Sequence, residues 1–394
     1  MTYWTILFVV DAFLFVLVAL TVAYMTFYSI ASQFARNPEI PKTKRLNRFI
    51  VIIPSYMGDA VIERTVKSVL SQSYPQRLFD VVVVSDHQDE MTNFRLAQYP
   101  ITLLTPNFKY STKAKSLQYA INNLPQFKIY DIVVVLDADN IVLPEFLDDL
   151  NSAYEYAGTK AIQTHRLSKN RDTSSAMLDA TFEEINNSIF RLGHIAIGMP
   201  AAIAGSGMAF DYNWFKDNIV KTKAAWEDKE LEALLIRQHI FVDYFDHILV
   251  FDEKTRRSTD FNRQRGRWAA TQFYTILKNI RFLPAAVINK QYDLIDKIFQ
   301  WMLLPRTIMM AIIGIMGITL PFVYFTLAVK WWFTAALILF VFALATPDYL
   351  VDKRWEKAFF MTPFIMFKSL LNVLSLTKSK KSFIHRNNKK SHNS

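Results

Sequence analysis

Apolar and polar positions fall into different patterns along this chain. Tyr3 to Ile30 is almost wholly apolar, with Asp11 its only charge. At about 1.5 Å per residue this run exceeds a ~30 Å hydrocarbon layer, so it predicts a membrane span. It lacks the basic first region and short apolar stretch of a cleaved signal peptide, which favours a retained helix. From residue 49 to 252 the pattern changes to short β-rich runs alternating with helical periods. Strands are expected at Phe49–Pro54, Phe79–Val84, Ile101–Leu104 and Asp131–Leu136, and helices at Val61–Leu70, Ser116–Leu124 and Lys229–Gln238. Strands that are apolar on both faces and joined by helices predict an α/β fold with a mostly parallel sheet. Near the C-terminus, Ile308–Val329 and Trp331–Pro347 are uncharged, with Lys330, Trp331 and Trp332 where a turn at the membrane interface would lie. The other reading, a helical hairpin in a soluble core, is disfavoured by so long a run without charge.

These patterns divide the chain. Residues 1–31 are expected to be a transmembrane helix, 32–48 a basic juxtamembrane linker, and 49–270 a cytoplasmic domain. Residues 271–305 are expected to form interface helices, 306–351 two further transmembrane helices, 352–376 an amphipathic helix with a break at Pro363, and 377–394 a basic disordered tail.

Charge supplies orientation. Before the first span there is no charged residue, whereas Arg36, Lys42, Lys44, Arg45 and Arg48 follow it, and a cluster from Lys378 to Lys390 ends the chain. By the Lys/Arg asymmetry, the N-terminus faces out and the middle region and tail are cytoplasmic, in an inner-membrane, multi-pass protein. The tail's most direct partner is anionic membrane lipid. Nucleic acid is not expected, because no aromatic residues are interleaved with the basic ones. The 394 residues carry 45 Lys and Arg against 35 Asp and Glu, and no cysteine. The last count excludes disulfides, zinc–thiolate sites, iron–sulfur clusters and cysteine nucleophiles.

Chemistry is sought at the carboxyl ends of the strands, where open α/β sheets bind ligands. The first strand runs into Pro54-Ser55-Tyr56 and Asp59, the second into Ser85-Asp86, the fourth into Asp137-Ala138-Asp139. Two carboxylates on alternate residues at a strand end supply hard oxygen ligands suited to Mg²⁺ or Mn²⁺. Alone, such a pair more often serves as loop acids capping a helix, but the preceding Val133-Val134-Val135-Leu136 strand reverses that preference. No phosphate-binding glycine loop of either common type occurs, so phosphate must be met by metal and by lysines such as Lys113 and Lys115. Gly205-Ser206-Gly207 allows close backbone approach to a ligand or forms an ordinary turn. Trp226-Glu227-Asp228 opens a helix, where acids also suit the helix dipole. Gln264-Arg265-Gly266-Arg267-Trp268 sets a tryptophan inside a basic stretch.

Taken in order, these motifs resemble the inverting, membrane-embedded family 2 glycosyltransferases, the group of cellulose, chitin, hyaluronan and poly-N-acetylglucosamine synthases. The resemblance covers about residues 49–270. It implies a GT-A fold and a UDP-sugar donor. By position, Asp86 would contact uracil, helped by Ser55 or Tyr56, with Asp59 and Lys113 among the substrate-binding residues. Asp137 would face the diphosphate, Asp139 would coordinate the metal, and Asp228 would be the catalytic base. Gly205, Ser206, Gly207, Glu227, Gln264, Arg265, Arg267 and Trp268 complete the implied substrate site, the last group toward acceptor sugar and pyrophosphate. Thr112 and Gln118 depart from residues common in relatives, and three spans are few for a polysaccharide channel, so export would need an oligomer or a partner. The expected function is metal-dependent transfer of a hexose or N-acetylhexosamine to a growing glycan. The alternatives are transfer of one sugar to a lipid acceptor, a catalytically inactive sugar-nucleotide-binding scaffold, and a nucleotidyltransferase.

Overall fold

Runs of β-branched residues build one eight-stranded sheet in a computed structural model that describes residues 3–36, 38–125, 127–223, 226–253 and 271–357. Among these residues the chain forms two units, one of residues 36–169 and 199–253, the other of residues 3–35, 170–198 and 271–357.

In the first unit β1 (Phe49–Tyr56) pairs in parallel with β2 (Phe79–Asp86) and β4 (Ile132–Val135), and β2 with β3 (Thr102–Leu104). Phe49, Val51, Ile53, Val81, Val83, Ile132 and Val134 are buried against α2 (Ile62–Leu70) and its neighbours. At about 25 cal/mol per Å² of apolar surface removed from water, these continuous apolar strands dominate the unit's stability. This block agrees with the sequence expectation. The rest of the sheet does not. β7 (Met208–Asp211) runs antiparallel to both β4 and β6 (Ala161–Ser168), β6 pairs in parallel with β8 (Val242–Asp252), and β5 (Ile141–Val142) closes the edge antiparallel to β8. The sheet, ordered β3-β2-β1-β4-β7-β6-β8-β5, is therefore mixed rather than mostly parallel. The reversal has a consequence for the site. Because β7 starts where β4 ends, the 205–207 loop is delivered to the carboxyl end of β4.

Two boundaries shift with similar effect. β1 and β2 each run two residues beyond expectation, to Tyr56 and Asp86. The next helix starts at Lys113, not Ser116, because the Thr112 hydroxyl caps it by accepting the Lys115 N–H at 3.3 Å.

In the second unit, α1 (Tyr3–Ser32) and a helix at Phe325–Ala345 are each long and apolar enough to cross a membrane. Large side chains such as Phe13, Val16 and Phe27 are exposed along α1, as a lipid-facing helix requires. The uncharged run expected as the second span, Ile308–Val329, is not one helix. Arg306–Thr319 ends at a tight turn over Leu320–Phe322, which contains Pro321, and the following helix starts at Phe325. At about 1.5 Å per residue, 14 residues fall short of a hydrocarbon layer. Joined to Tyr292–Met302 through a 57° bend, it makes a broken pair that passes the same length and apolarity test. Lys330 and Trp331 thus lie within a helix, not in a turn. The reason is Asp11, which is 2% exposed. Its carboxylate receives the Lys330 ammonium and, at 2.8 Å, the Trp331 indole N–H. A charge buried among apolar helices is tolerated when it is paired and hydrogen-bonded. Residues 353–357 are helical, and the remainder of the expected amphipathic helix and basic tail lies outside the described residues.

Lys330→Met leaves Asp11 buried without its cation and should destabilise the protein by about 3 kcal/mol. Thermal unfolding in detergent reads this directly. The double variant Asp11→Leu/Lys330→Met should recover most of the loss, and equal stability of Lys330→Met and wild type would contradict the pairing.

Candidate active site

The carboxyl end of β4 leads straight into Asp137-Ala138-Asp139-Asn140, and this loop is held by short polar contacts rather than by regular structure. Asn140, fully buried, accepts the Asp137 N–H on its side-chain oxygen at 2.9 Å. The Ser206 hydroxyl, also fully buried, bonds the same Asn140 oxygen and lies 3.1 Å from the Asp137 nitrogen. Thr65 of α2 donates to the Ala138 carbonyl at 2.7 Å. Two carboxylates at one strand end are thus presented by a braced loop, and both side chains remain half-buried and reachable.

The 205–207 loop is braced from the other side. Gln163 of β6, fully buried, donates to the carbonyls of Ser206 at 3.0 Å and Gly207 at 3.2 Å and accepts the Ala204 N–H at 2.8 Å. Gly207 has φ +64°, and a methyl group there would meet the Thr164 hydroxyl at 2.4 Å, so only glycine fits. Gly205 has φ +84°, and a methyl group there would stand 3.4 Å from Asp228 Oδ2. The Asp228 carboxylate therefore lies against the Gly205 backbone.

Lys113 joins these pieces. As the first residue of its helix, α4 (Lys113–Asn122), it sends its ammonium to the Asp137 carboxylate, to the Gly205 carbonyl at 2.6 Å, and to within 3.8 Å of Glu227 Oε1. Burial opposes its charge, but the carboxylates of Asp137, Glu227 and Asp228 outweigh burial and hold its pKa above the ordinary lysine value. Glu227 responds oppositely. Burial is the main cause, helped by Asp228 and opposed by Lys113, and its pKa rises from 4.5 to about 8. Lys115, by contrast, turns away and donates to the Tyr110 carbonyl at 2.7 Å. Of the two candidate lysines, only Lys113 enters the site.

Lys113 also lines a cleft at the ends of β1 and β2, together with Pro54, Ser55, Tyr56, Asp86, Ser111, Thr112 and Ser116. Asp86 is fully buried, and its Oδ1 lies 2.6 Å from His87 Nδ1 and 3.4 Å from the Phe108 nitrogen. Its Oδ2 is buried without a partner. Ser55 is held by Gln88, and Asp59 accepts the Asp89 N–H at 2.8 Å, so Asp59 fixes the loop after β2. One connected site therefore gathers Asp86, Lys113, Asp137, Gly205, Glu227 and Asp228. Gln264, Arg265, Arg267 and Trp268 lie outside the described residues. Asn140 and Gln163 were not singled out by the sequence. Each stands among other polar residues at the end of an apolar run, and no spacing marks it as a loop brace.

The donor set suits a divalent cation. Asp137 and Asp139 offer hard carboxylate oxygens, and among the described residues no cluster of three or more acidic or imidazole ligands occurs. A site of two carboxylates completed by phosphate oxygens is how Mg²⁺ is commonly held.

The raised pKa of Glu227 has a sign. Between pH 4.5 and about 8 the folded state holds a proton that the unfolded state has released, so stability falls as pH rises through this window. Thermal unfolding from pH 5 to 8 should show this fall in wild type and a flatter profile in Glu227→Gln. Parallel profiles would contradict a proton on buried Glu227.

Comparisons with known proteins bear on the family and the fold. A probable glycosyltransferase YdaM of Bacillus subtilis (strain 168) is 23% identical over 279 residues, 65% of this chain and 61% of that protein. The chain thus spans about three fifths of the length of that curated relative. The solved structure of the mannosyltransferase PcManGT from Pyrobaculum calidifontis, in complex with GDP-Man and Mn²⁺, superposes over 92% of this chain and 99% of its own at a TM-score of 0.54 and 17% identity. That likeness is one of fold, a GT-A-like α/β arrangement. The family model described as glycosyltransferase like family 2 matches residues 47–271. With more than half its length in that match, and the matched segment spanning the mixed sheet and the site at its strand ends, the chain belongs to glycosyltransferase family 2.

Proposed function

We propose that this chain is a membrane-bound, inverting glycosyltransferase that moves a hexose or N-acetylhexosamine from a UDP-sugar to a growing glycan on the cytoplasmic face of the inner membrane. The observation that carries the reading is the meeting at Lys113 of three separate segments, the Asp137–Asp139 loop, the Gly205 turn and the Glu227–Asp228 helix start, beside the cleft that holds Asp86. A nucleotide needs one end of this arrangement for its base and the other for its diphosphate.

The roles follow from reach and charge. Asp86 Oδ2 accepts a ring N–H of the base, satisfying an otherwise unpaired buried oxygen. Lys113 meets the diphosphate with a cation that its carboxylate neighbours keep protonated. Asp137 and Asp139 would hold Mg²⁺ or Mn²⁺, and the chemistry that ion supplies when bound is neutralisation of charge on the leaving diphosphate. The mannosyltransferase PcManGT was solved with Mn²⁺, which supports the same class of ion here.

Of the two adjacent acids, Glu227 is buried and driven toward its neutral form, whereas Asp228 is half-buried beside Gly205 and open to an acceptor. Asp228 is therefore the base. It takes the proton of the acceptor hydroxyl as that oxygen attacks the anomeric carbon from the face opposite the diphosphate, which inverts the configuration. Gln264, Arg265, Arg267 and Trp268 are assigned to the acceptor and pyrophosphate by resemblance. The two apolar helices long enough to cross a membrane, with the bent pair as a third, support membrane attachment. Export of a polymer would require an oligomer or a partner.

Detergent-solubilised protein with UDP-sugars and Mn²⁺ should release UDP, and EDTA should stop the release. Asp228→Asn should keep UDP binding while losing turnover by about 10² or more, and robust turnover in that variant refutes the base assignment. Product length reads the acceptor: a ladder supports a growing glycan, and a single addition supports a lipid acceptor instead.

A further inference from the structure

The residue after Asp86 stands in a conformation that its type rarely adopts. His87 has φ +57°, in the left-handed region, and Met57, facing it across the ends of β1 and β2, has φ +46°. The Met57 N–H bonds the Asp86 carbonyl at 3.2 Å, so the two strand tips turn together. The turn brings the His87 ring back over the preceding side chain, with Nδ1 at 2.6 Å from Asp86 Oδ1 and the ring centroid 5.7 Å from that of Tyr56. A carboxylate oxygen only accepts, so Nδ1 carries the proton and donates. The Phe108 N–H approaches the same Oδ1 at 3.4 Å. Both lone-pair sites of Oδ1 are thus used within the protein, and Oδ2 of the same carboxylate is left buried with no partner among the described residues.

We propose that His87 is a positioning residue that sets which nucleobase the cleft takes: by occupying Asp86 Oδ1 it leaves one carboxylate oxygen, which suits a base with a single ring N–H. Uracil has one such donor, N3–H, between two carbonyl acceptors. Guanine presents two adjacent donors, N1–H and the exocyclic amino group, and pairs with a carboxylate through both oxygens. With Oδ1 already used, one guanine donor would be buried without an acceptor, and an unpaired buried donor is costly. The inference rests on the nucleotide-sugar reading above and adds to it a cause for base selection.

The variants are chosen to keep the backbone. His87→Gly accepts φ +57° freely and removes the ring. His87→Asn tolerates the same conformation, and its amide nitrogen occupies the position of Nδ1 in bond connectivity. Titration calorimetry of the full-length protein in detergent with Mn²⁺ and either UDP or GDP measures the affinity ratio. Wild type should favour UDP by about tenfold or more. His87→Gly should bring the two affinities within about threefold of each other, and His87→Asn should restore most of the preference, because one hydrogen bond of this kind decides the difference. A merely structural histidine would weaken both nucleotides together and leave the ratio unchanged, which overturns the proposal while leaving the glycosyltransferase reading intact. A wild-type preference for GDP also overturns it. Binding of neither nucleotide by wild type overturns the nucleotide-sugar reading itself, and the role of His87 with it.

Discussion

One ammonium group in a crowd of carboxylates organises the site at the strand ends of this molecule. Lys113 is mostly buried, and such a charge is stable only where opposite charges surround it. Asp137 supplies one directly, the Glu227 carboxyl stands within 3.8 Å on a different segment, and the Gly205 carbonyl supplies a third contact. The constraint runs both ways. The lysine holds the acidic loop and the glycine turn at one place, and the carboxylates hold the lysine charged. On the proposed reading, a diphosphate would find its counter-charge already positioned there, which reduces the reorganisation that accompanies binding.

The supporting geometry comes from the sheet. Parallel pairing of β1, β2 and β4 aligns three strand ends, and the antiparallel insertion of β7 turns the 205–207 loop toward them. Gly207 then allows that loop to pass the Thr164 hydroxyl, where a side chain would collide. Gln163 and Asn140 satisfy the exposed backbone groups of the two facing loops. The two loops are therefore braced by side-chain hydrogen bonds, and burial drives Glu227 toward neutrality beside a half-buried Asp228.

Much of this was legible in the residues. The Val133–Leu136 run marked a buried strand, and the acids after it stand at its carboxyl end as expected. The residue pattern alone offers Lys113 and Lys115 together, and only the resemblance singles out Lys113. What separates it from Lys115 is the helix start at Thr112, a cap read only once the hydroxyl is seen to accept the Lys115 N–H. The antiparallel course of β7 was not legible, because a strand of three apolar residues and an aspartate carries no direction. The placing of Lys330 failed for a related reason. A lone cation between apolar runs looks like a turn, and only its partner Asp11, more than 300 residues away in sequence, makes it part of a helix. Long-range pairings of this kind leave no local pattern.

The central claim is that nucleotide and catalytic acids share one site centred on Lys113. A structure of the protein with UDP and Mn²⁺ bound tests it most directly. The account predicts the diphosphate against Lys113 and the Asp137–Asp139 loop, with the uracil ring at Asp86. A nucleotide found away from Lys113, or with its base distant from Asp86, would contradict it.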